Sequence, residues 1–514
     1  ERIEDNMMRA IDRVPVVGTA GIKRVINGPM IWSPDANVLF GPVPELRGYF
    51  CCNGIIPGFS QSGGMGLLAA QWIIEGETQY DMFAWDMARF GDWADKAFTK
   101  ARVRDQYANR FKIHFPNEER SAGRPARTRP VYDVQGQLGA VFGLNAGWEH
   151  PLWFADAPGA QDTDGFTRQN WWGPVGTECR MLRDRAGIID ISNFAKYRCK
   201  GPGAEDWLNA VFANRMPVAV GRSCLTPLIG KRGGIAGDFT VTRTADDEFW
   251  VIGSGMAERY HQRFFRAVPL PEGTTFDSMT EAMCGFNVAG PDSRALLQRL
   301  TNASLDTDDF PFMRSQWIEL AGVQVLALRV SFTGDLGWEL HCRTQDQTQL
   351  YAALIEAGKT FGAGPVGSRA LMSLRIEKGY GSWGREYSPE YWPQEVALDR
   401  LCKMDKVFLN RDALATTLAQ PAREHLVLLA LDAADTDASN ADATGGEPIF
   451  KDGQGIGRVT SGAYGYSVGM SLALGYVTGA VAGDVVDVMV LGQPHRATIL
   501  AKPPFDPEGA RLRA

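Results

Sequence analysis

From about Gln161 to about residue 418 the chain alternates short apolar runs with amphipathic segments, and this alternation most constrains its fold. The runs GGIAGDFTVTR (233–243) and EFWVIGSG (248–255) have the length and composition of strands, whereas YAALIEAGKTFG (351–362) has helical spacing. Short strands and helices that alternate along one stretch predict an α/β unit.

The last part of the chain has a different pattern. The segments GQGIGRVTSGAY (453–464) and LALGYV (472–477) are short strands with glycine turns, which predict a small β-barrel or sandwich. The polar stretch 432–447 before them is typical of a surface loop or linker. The expected fold class is therefore α/β plus β.

The composition excludes several classes of protein. A net charge of −7 argues against a nucleic-acid partner, which needs a basic stripe. No apolar run is long enough to span a bilayer, and the first residues have no signal-peptide core. The eight cysteines form no CxxC pair and the six histidines have no ligand spacing, so we expect neither a metal site nor a disulfide framework. Reduced thiols favour the cytoplasm, or the mitochondrial matrix in a eukaryote.

The glycine-rich run GFSQSGGMG (58–66) precedes the apolar segment LLAAQWIIEGE and predicts a loop that leads into a helix. Free N–H groups at a helix N-terminus favour an anion, or the electron-rich edge of a reduced flavin. Gly58, Ser62, Gly63 and Gly64 are therefore candidate flavin contacts. A packing turn that touches no ligand is an equally weighted alternative.

A complete dinucleotide-binding domain would carry a GxGxxG fingerprint after its first strand. The chain has no such fingerprint, and Glu1 enters an amphipathic stretch directly. We therefore expect an upstream segment or a separate subunit to complete any FAD site. We do not expect this chain alone to hold FAD.

A resemblance to a known family covers essentially the whole chain. NGPMIWSPDANVLFGPVPELRGYF (27–50) and SGGMGLLAAQWIIEGE resemble the end of the flavin domain in the dimethylglycine and sarcosine dehydrogenase family. FPNEER (115–120) and GWEHPLWF (147–154) resemble its middle domain. The family binds FAD, often covalently through a histidine that would lie upstream of this chain. The resemblance implies an FAD-oxidoreductase end segment at residues 1–99 and a middle or connector domain at 100–160.

From Trp172 onward the chain resembles the glycine-cleavage T-protein. Four runs match in order: IDIS (189–192), GGIAGDF (233–239), SFTGDLGWE (331–339) and LRIEK (374–378). The resemblance implies a lobed, aminomethyltransferase-like folate-binding domain at residues 161–418 and a β-barrel domain at 419–514. It also implies tetrahydrofolate as the second cofactor beside FAD.

The resemblance assigns the one-carbon chemistry to Asp238. A folate nitrogen that attacks an iminium or formaldehyde carbon must lose a proton, and a nearby carboxylate can take it and stabilise the cationic transition state. Asp238 is the expected group. The alternative is a solvated aspartate at the end of a strand, which would have no part in the reaction.

Glu339 and Arg375 are further candidates for binding the folate. The pterin presents two parallel N–H donors, which a carboxylate accepts as a fork, and Glu339 is the candidate because strand alternation with Trp338 directs it inward. Its alternative role is an ion pair with Arg343. Arg375 either binds the folate or anchors a local carboxylate, Glu377 or Glu386, and the two interpretations have equal weight.

The run 331–339 departs from the family pattern at two positions. Phe332 replaces the usual tyrosine, so any hydrogen bond of that hydroxyl is lost or replaced, and Asp335 replaces the usual glutamate. Phe332 stays a candidate folate contact. Trp338 is another, through stacking on the pterin, although a buried tryptophan is more often part of a core.

The resemblance implies an FAD-dependent amine dehydrogenase or oxidase that demethylates a dimethylglycine- or sarcosine-like amino acid and forms 5,10-methylenetetrahydrofolate. An electron-transfer partner or oxygen would reoxidise the flavin, and we expect an oligomer without a membrane partner. One alternative is a flavin-independent aminomethyltransferase, against which residues 1–155 argue. Another is a non-catalytic folate-binding scaffold subunit, which an Asp238 that points away from the pocket would favour.

Overall fold

The computed structural model describes residues 3–432 and 441–514. Within the polar stretch 432–447, residues 433–440 lie outside the described residues, so its assignment as a loop stays a prediction there. The first elements of the chain are one hairpin and three helices: α1 (Glu4–Arg13), β1 (Leu39–Pro42), β2 (Phe50–Asn53), α2 (Gly58–Glu75) and α3 (Lys96–Asn109).

The prediction of a loop at residues 58–66 is wrong, because helix α2 begins at Gly58 and includes the whole glycine-rich run. Glycine disfavours helix by about 1 kcal/mol per residue relative to alanine. Tertiary packing outweighs that cost, since Met65 and Trp72 of α2 pack on Phe40 of β1. The Phe40 and Trp72 ring centroids are 5.6 Å apart.

The connector after α3 contains a short helix and a hairpin. Its elements are α4 (Tyr132–Gln137), β3 (Ala140–Asn145) and β4 (Trp148–Phe154). Leu152 and Trp153 of β4 pack in one apolar cluster with Val175 and Leu374, which belong to helices of the next unit. The hairpin is therefore part of the wall of that unit.

Two antiparallel-rich sheets form the central unit. The five-stranded sheet has the order β10-β6-β9-β8-β7, and the six-stranded sheet has the order β12-β13-β14-β11-β5-β15, in which only the β15–β5 pair is parallel among the described strands. The strands are β5 (Gly187–Asp190), β6 (Ala195–Lys200), β7 (Ser223–Ile229), β8 (Ile235–Ala245), β9 (Glu248–Gly253), β10 (Thr275–Ser278), β11 (Met283–Ala289), β12 (Ser315–Leu320), β13 (Val323–Leu328), β14 (Gly337–Arg343) and β15 (Gly364–Val366).

Helices pack against both sheets, and each sheet has its own apolar core. They are α5 (Trp172–Asp184), α6 (Ala204–Val211), α7 (Glu258–Phe265), α8 (Ser293–Gln298), α9 (Gln347–Lys359), α10 (Ser368–Glu377) and α11 (Arg411–Leu418). Trp207 and Phe239 belong to the core of the five-stranded sheet, and Phe286 and Trp338 to that of the six-stranded sheet. The expected α/β unit is confirmed.

The predicted C-terminal barrel is confirmed as a closed six-stranded barrel in the order β16-β19-β18-β17-β20-β21. Its elements, with the last helix, are β16 (His425–Leu431), β17 (Pro448–Lys451), β18 (Gln454–Gly465), β19 (Met470–Val477), β20 (Val485–Val490), β21 (Gln493–Leu500) and α12 (Ala510–Arg513). Closure pairs every strand on both sides, so the barrel has no open edge.

A buried arginine joins the central helices to the segment before β14. Arg183 of α5 donates to Asp335 Oδ2 at 2.5 Å and to Glu377 Oε2 at 2.9 Å, and all three side chains are at most 3 % exposed. Its guanidinium also donates to the backbone carbonyls of Thr333 and Leu374. The Asp335 that replaces the family's glutamate is thus part of a buried ion-pair network.

We predict that Arg183→Met destabilises the protein by about 3–5 kcal/mol, because the substitution leaves Asp335 and Glu377 buried without this cation. Chemical denaturation followed by tryptophan fluorescence measures the loss. Arg185→Met is the matched control: that side chain is 64 % exposed and 4.0 Å from Asp292, so its effect should stay within about 0.5 kcal/mol. Equal effects of the two substitutions would contradict the prediction.

Candidate functional site

A cavity of about 820 Å³ lies where the two sheets, the β3–β4 hairpin and the barrel meet. Residues of β4, β8, β14, α10 and β18 line it. Its volume is in the range of small-molecule sites. Of the sequence-predicted site residues, it brings together Asp238, Phe332, Glu339 and Arg375.

Asp238 lies in the middle of β8, opposite Pro227 of β7, and faces the cavity. The neighbouring Phe239 borders the cavity and packs in the core of the five-stranded sheet, where it contacts Phe212 and His261. Burial raises the pKa of the Asp238 carboxyl to about 6. Among the residues that the structure describes, no other residue donates a hydrogen bond to it. A carboxylate with this pKa and no partner is suited to accept a proton near neutral pH.

Glu339 lies on β14, in register with Asn287 of β11, and its side chain is 20 % exposed in the cavity wall. The imidazole of His341 lies beside it, with Nε2 3.6 Å from Oε2. Arg343 is exposed on the strand and makes no ion pair with it within the described chain. The carboxylate therefore keeps its hydrogen-bonding capacity for a ligand.

Other carboxylates in the cavity wall already have partners. Asp190 accepts from Gln135 Nε2 and from the backbone N–H of Ser192, both at 2.9 Å. Asp442 forms a two-bond ion pair with Arg168. Of the carboxylates of this wall that are not solvent-exposed, Asp238 and Glu339 alone accept no hydrogen bond from another side chain or N–H group in residues 3–432 and 441–514.

The sequence left two roles open for Arg375, and the structure shows the second one, in which it anchors a local carboxylate. It forms a fully buried ion pair with Glu386, at 2.8 Å, and donates to Ser461 Oγ of the barrel at 2.7 Å. Glu377 instead pairs with Arg183. Arg375 also lines the cavity, with an Nε that has no partner in the described part of the chain. A contact with folate stays a prediction for this residue.

Phe332 lines the cavity and lies nearly parallel to Tyr380, with ring centroids 6.0 Å apart. The predicted stacking of Trp338 on a pterin is wrong for this structure. Trp338 is fully buried in the core of the six-stranded sheet, at an edge contact with Phe310, and does not line the cavity. Successive residues of a strand face opposite sides, so a cavity-facing Glu339 directs Trp338 into the core.

The candidate flavin residues lie elsewhere. Gly58, Ser62, Gly63 and Gly64 are on α2, outside the cavity wall, and the space beside each of these glycines is open for at least 4 Å. Only the first N–H groups of a helix lack an intrahelical acceptor. The amides of Gly63 and Gly64 lie beyond that first turn, so the helix uses them internally. A flavin contact through the first turn, at residues 58–60, remains a prediction.

The sequence reasoning missed several wall residues. Tyr387 lies in the cavity wall near Asp238. Burial raises the pKa of the Tyr387 phenol, and the negative charge of Asp238 raises it further. His150 lines the cavity from β4, and its Nδ1 has no partner among described residues. Arg369 lines it from α10 and pairs with Asp162 at 2.7 Å. No local pattern marks these residues, since their place depends on how distant segments pack.

Comparison with known families agrees with this geometry. The family described as "GCVT N-terminal domain" matches residues 131–406, which include Asp238, Glu339 and Arg375. The chain belongs to the glycine cleavage T-protein family. The family's C-terminal barrel domain matches residues 425–506, and "FAD dependent oxidoreductase central domain" matches residues 75–128. This member therefore joins the T-protein fold to a segment that matches a domain of FAD-dependent oxidoreductases.

Curated relatives match this T-protein family member over nearly its whole length. Mitochondrial dimethylglycine dehydrogenase of Mus musculus is 34% identical over 523 residues, which cover 100% of this chain and 59% of that protein. Mitochondrial sarcosine dehydrogenase of Mus musculus is 31% identical and covers 98% of this chain and 60% of that protein. The chain thus spans about three fifths of the length of these relatives.

A solved structure shares the fold. The glycine cleavage system aminomethyltransferase T from Bartonella henselae superposes with a TM-score of 0.64 at 23% identity, over 74% of this chain and 98% of that one. In the part of the chain that the structure describes, no helix combines the length and apolar character needed to cross a membrane. The same residues contain no cluster of three or more potential metal ligands of the His, Cys, Asp and Glu types.

The raised pKa of Asp238 gives a pH-dependent stability. The folded protein holds this proton up to about pH 6, whereas the unfolded chain releases it near 3.8, so stability falls as the pH rises between these values and stays lower above them. Asp238→Asn removes the charge. We predict that the variant gains at most about 3 kcal/mol over the wild type above pH 6, and little near pH 4.

Denaturant titrations across this pH range measure the difference. Asp247→Asn, at an exposed position in the β8–β9 turn, is the control, and its stability should follow the wild type at every pH. A constant difference between the Asp238 variant and the wild type at all pH values would contradict a titrating, buried carboxyl.

Proposed function

We propose that this chain is the folate-binding part of a flavin-dependent demethylase that acts on an N-methylated amino acid of the dimethylglycine or sarcosine type. In this proposal the one-carbon unit is captured on tetrahydrofolate as 5,10-methylenetetrahydrofolate. The observation that carries it is the pair of carboxylates, Asp238 and Glu339, which face one cavity without hydrogen-bond donors among the described residues. Unpartnered carboxylates in a partly buried wall are costly to keep unless a ligand uses them.

The residues of the cavity wall support tetrahydrofolate as the ligand. Glu339 offers two oxygens to the paired N–H donors of the pterin, and Phe332 and Tyr380 offer aromatic faces beside it. Glu339 would therefore bind and orient the substrate. Asp238 would accept the proton that leaves the folate nitrogen when the nitrogen bonds to the one-carbon unit, and its ionised form would stabilise the positive charge. The two roles lie on different sheets, β14 and β8.

FAD supplies the oxidation of the C–N bond in this proposal, and another segment must complete its site. The surface of α2 supports such a partner, because Phe59, Leu67 and Ile74 are 105%, 55% and 81% exposed. Apolar side chains grouped on one exposed helix favour an interface. The occupant we propose is the FAD-binding segment, either upstream in the same polypeptide or on a separate subunit. An electron-transfer protein or oxygen would then reoxidise the flavin, in an oligomer of the cytoplasm or mitochondrial matrix.

Two other functions are less well supported. A flavin-independent aminomethyltransferase has no use for the oxidoreductase central domain matched at residues 75–128. A non-catalytic folate-binding scaffold would be favoured by an Asp238 directed away from the pocket, but its side chain lines the cavity.

Glu339→Gln should weaken tetrahydrofolate binding about ten- to a hundred-fold, because the amide places a donor opposite a donor of the pterin. The pterin edge is remote from the reacting nitrogens. Uniform binding of this kind changes affinity and leaves the rate at saturating folate unchanged. Calorimetric titration of tetrahydrofolate measures the effect. Glu356→Gln on α9, 74% exposed, is the control and should bind as the wild type does. A folded Glu339 variant with wild-type affinity would refute the proposed role.

Asp238→Ala should separate the two reactions of the assembled enzyme. Flavin reduction by the methylamine should stay near the wild-type rate, since no residue of the cavity lies on α2. The yield of methylenetetrahydrofolate should fall, and free formaldehyde should rise because an uncaptured iminium hydrolyses.

Stopped-flow absorbance measures the flavin, and chromatography measures the two products. Asp247→Ala serves as the control on the same sheet and should leave the product ratio unchanged. If flavin reduction fell as much as the folate product, Asp238 would act on stability rather than on proton transfer.

A further inference from the structure

A buried histidine lies directly behind Glu339. His341 is two residues further along β14, so its side chain is on the same face of the strand as that of Glu339. It is 1 % exposed, and its Nε2 is 3.6 Å from Glu339 Oε2. Neither ring nitrogen has a hydrogen-bond partner among the described residues. A buried imidazole with two free nitrogens, one of them next to a carboxylate, is unusual and calls for an explanation.

The ring of His341 occupies space that a glycine on the neighbouring strand leaves free. Gly285 of β11 is opposite His341 in the register of the sheet. A Cβ at this glycine would come within 2.8 Å of Nδ1 and 3.2 Å of Cε1 of the ring. Ser192 fixes this part of β11, since its hydroxyl accepts from the Gly285 N–H at 3.2 Å. The imidazole is therefore held in one place beside the carboxylate.

A lysine from the other sheet faces the same pair. Lys196 of β6 is fully buried, and its Nζ donates to the backbone carbonyls of Ser192 and Phe194 at 3.1 and 2.9 Å. Burial lowers the pKa of His341, and the charge of Lys196 lowers it further, while contact with Glu339 raises it. A neutral imidazole results. It carries a proton on one nitrogen only, and the carboxylate beside Nε2 favours that nitrogen as the donor.

We propose that His341 is a positioning residue for the folate site, which donates its Nε2–H to Oε2 of Glu339 when the ligand binds. The gap of 3.6 Å is slightly longer than a hydrogen bond, and a small rotation of the partly exposed Glu339 side chain would close it. The bond would fix the plane of the carboxylate, so that both oxygens face the paired donors of the pterin. Each oxygen accepts two bonds, so the histidine takes no capacity from the ligand.

The inference rests on the proposed folate function, and a double-mutant cycle tests it separately. The variants are His341→Leu, which removes the donor, Glu339→Ala, and the two combined. Glu339→Ala is used here because a glutamine amide could still accept a bond from the histidine. Tetrahydrofolate affinity is measured by calorimetry, and thermal unfolding of each variant monitors folding.

We expect His341→Leu to weaken tetrahydrofolate binding about three- to ten-fold in the wild-type background. In the Glu339→Ala background the same substitution should have no further effect on the affinity. The rate of the folate reaction at saturating folate should not change. His341→Gln, which restores a donor, should recover most of the affinity. Arg343→Leu, at the next exposed position of the same strand face, is the control and should bind normally.

Losses that add fully in the double variant would overturn the inference, because the histidine would then act on affinity without Glu339. If His341→Leu does not fold, the cycle is repeated with His341→Met, which also lacks a donor. A wild-type chain that binds no tetrahydrofolate would instead overturn the proposed function. Normal binding by His341→Leu, with loss confined to Glu339→Ala, would refute the histidine's role alone.

Discussion

The guanidinium of Arg183 determines where several segments of the cavity wall lie. It bonds to Asp335 before β14, to Glu377 at the end of α10 and to the carbonyl of Thr333, all inside the protein. Arg511 of the C-terminal helix bonds to the other oxygen of Asp335 at 2.6 Å. Any shift of one segment would leave a buried charge without its partner. Phe332 and Arg375, which line the cavity, are on these same segments.

A second buried pair connects this frame to the barrel. Arg375 and Glu386 are both fully buried, and Ser461 of β18 bonds to both of them. Tyr476 of the barrel donates to the backbone carbonyl of Glu386 at 2.6 Å. The barrel is thereby held against α10, where it closes one side of the cavity. Charge pairing of this kind stores little net stability, but it specifies one arrangement, since every alternative breaks a buried bond.

The protein uses its buried and partly buried carboxylates in two different ways. Asp335, Glu377 and Glu386 have cationic partners and serve the architecture. Asp238 and Glu339 form no ion pair with a lysine or arginine among the described residues, and burial raises the pKa of Asp238 to about 6. The absence of a partner costs stability in the free protein and leaves the group available for a ligand. The candidate site residues therefore differ from the architectural carboxylates in lacking a cationic partner, and not in residue type.

The sequence by itself determined the features that depend on local periodicity. It predicted the α/β unit, the barrel, the inward side of Glu339 and the glycine-rich strand that carries Asp238, because strand alternation and glycine turns are set by neighbouring residues. Only the tertiary structure decided the others. Packing on Phe40 made a helix of the glycine run that begins at Gly58, although glycine propensity predicted a loop. Arg375 pairs with Glu386 rather than with Glu377, which is nearer in sequence, because Glu377 pairs with Arg183 and Ser461 of the barrel bonds to both Arg375 and Glu386. Such contacts depend on which distant side chains come together after folding, and no local sequence pattern predicts them.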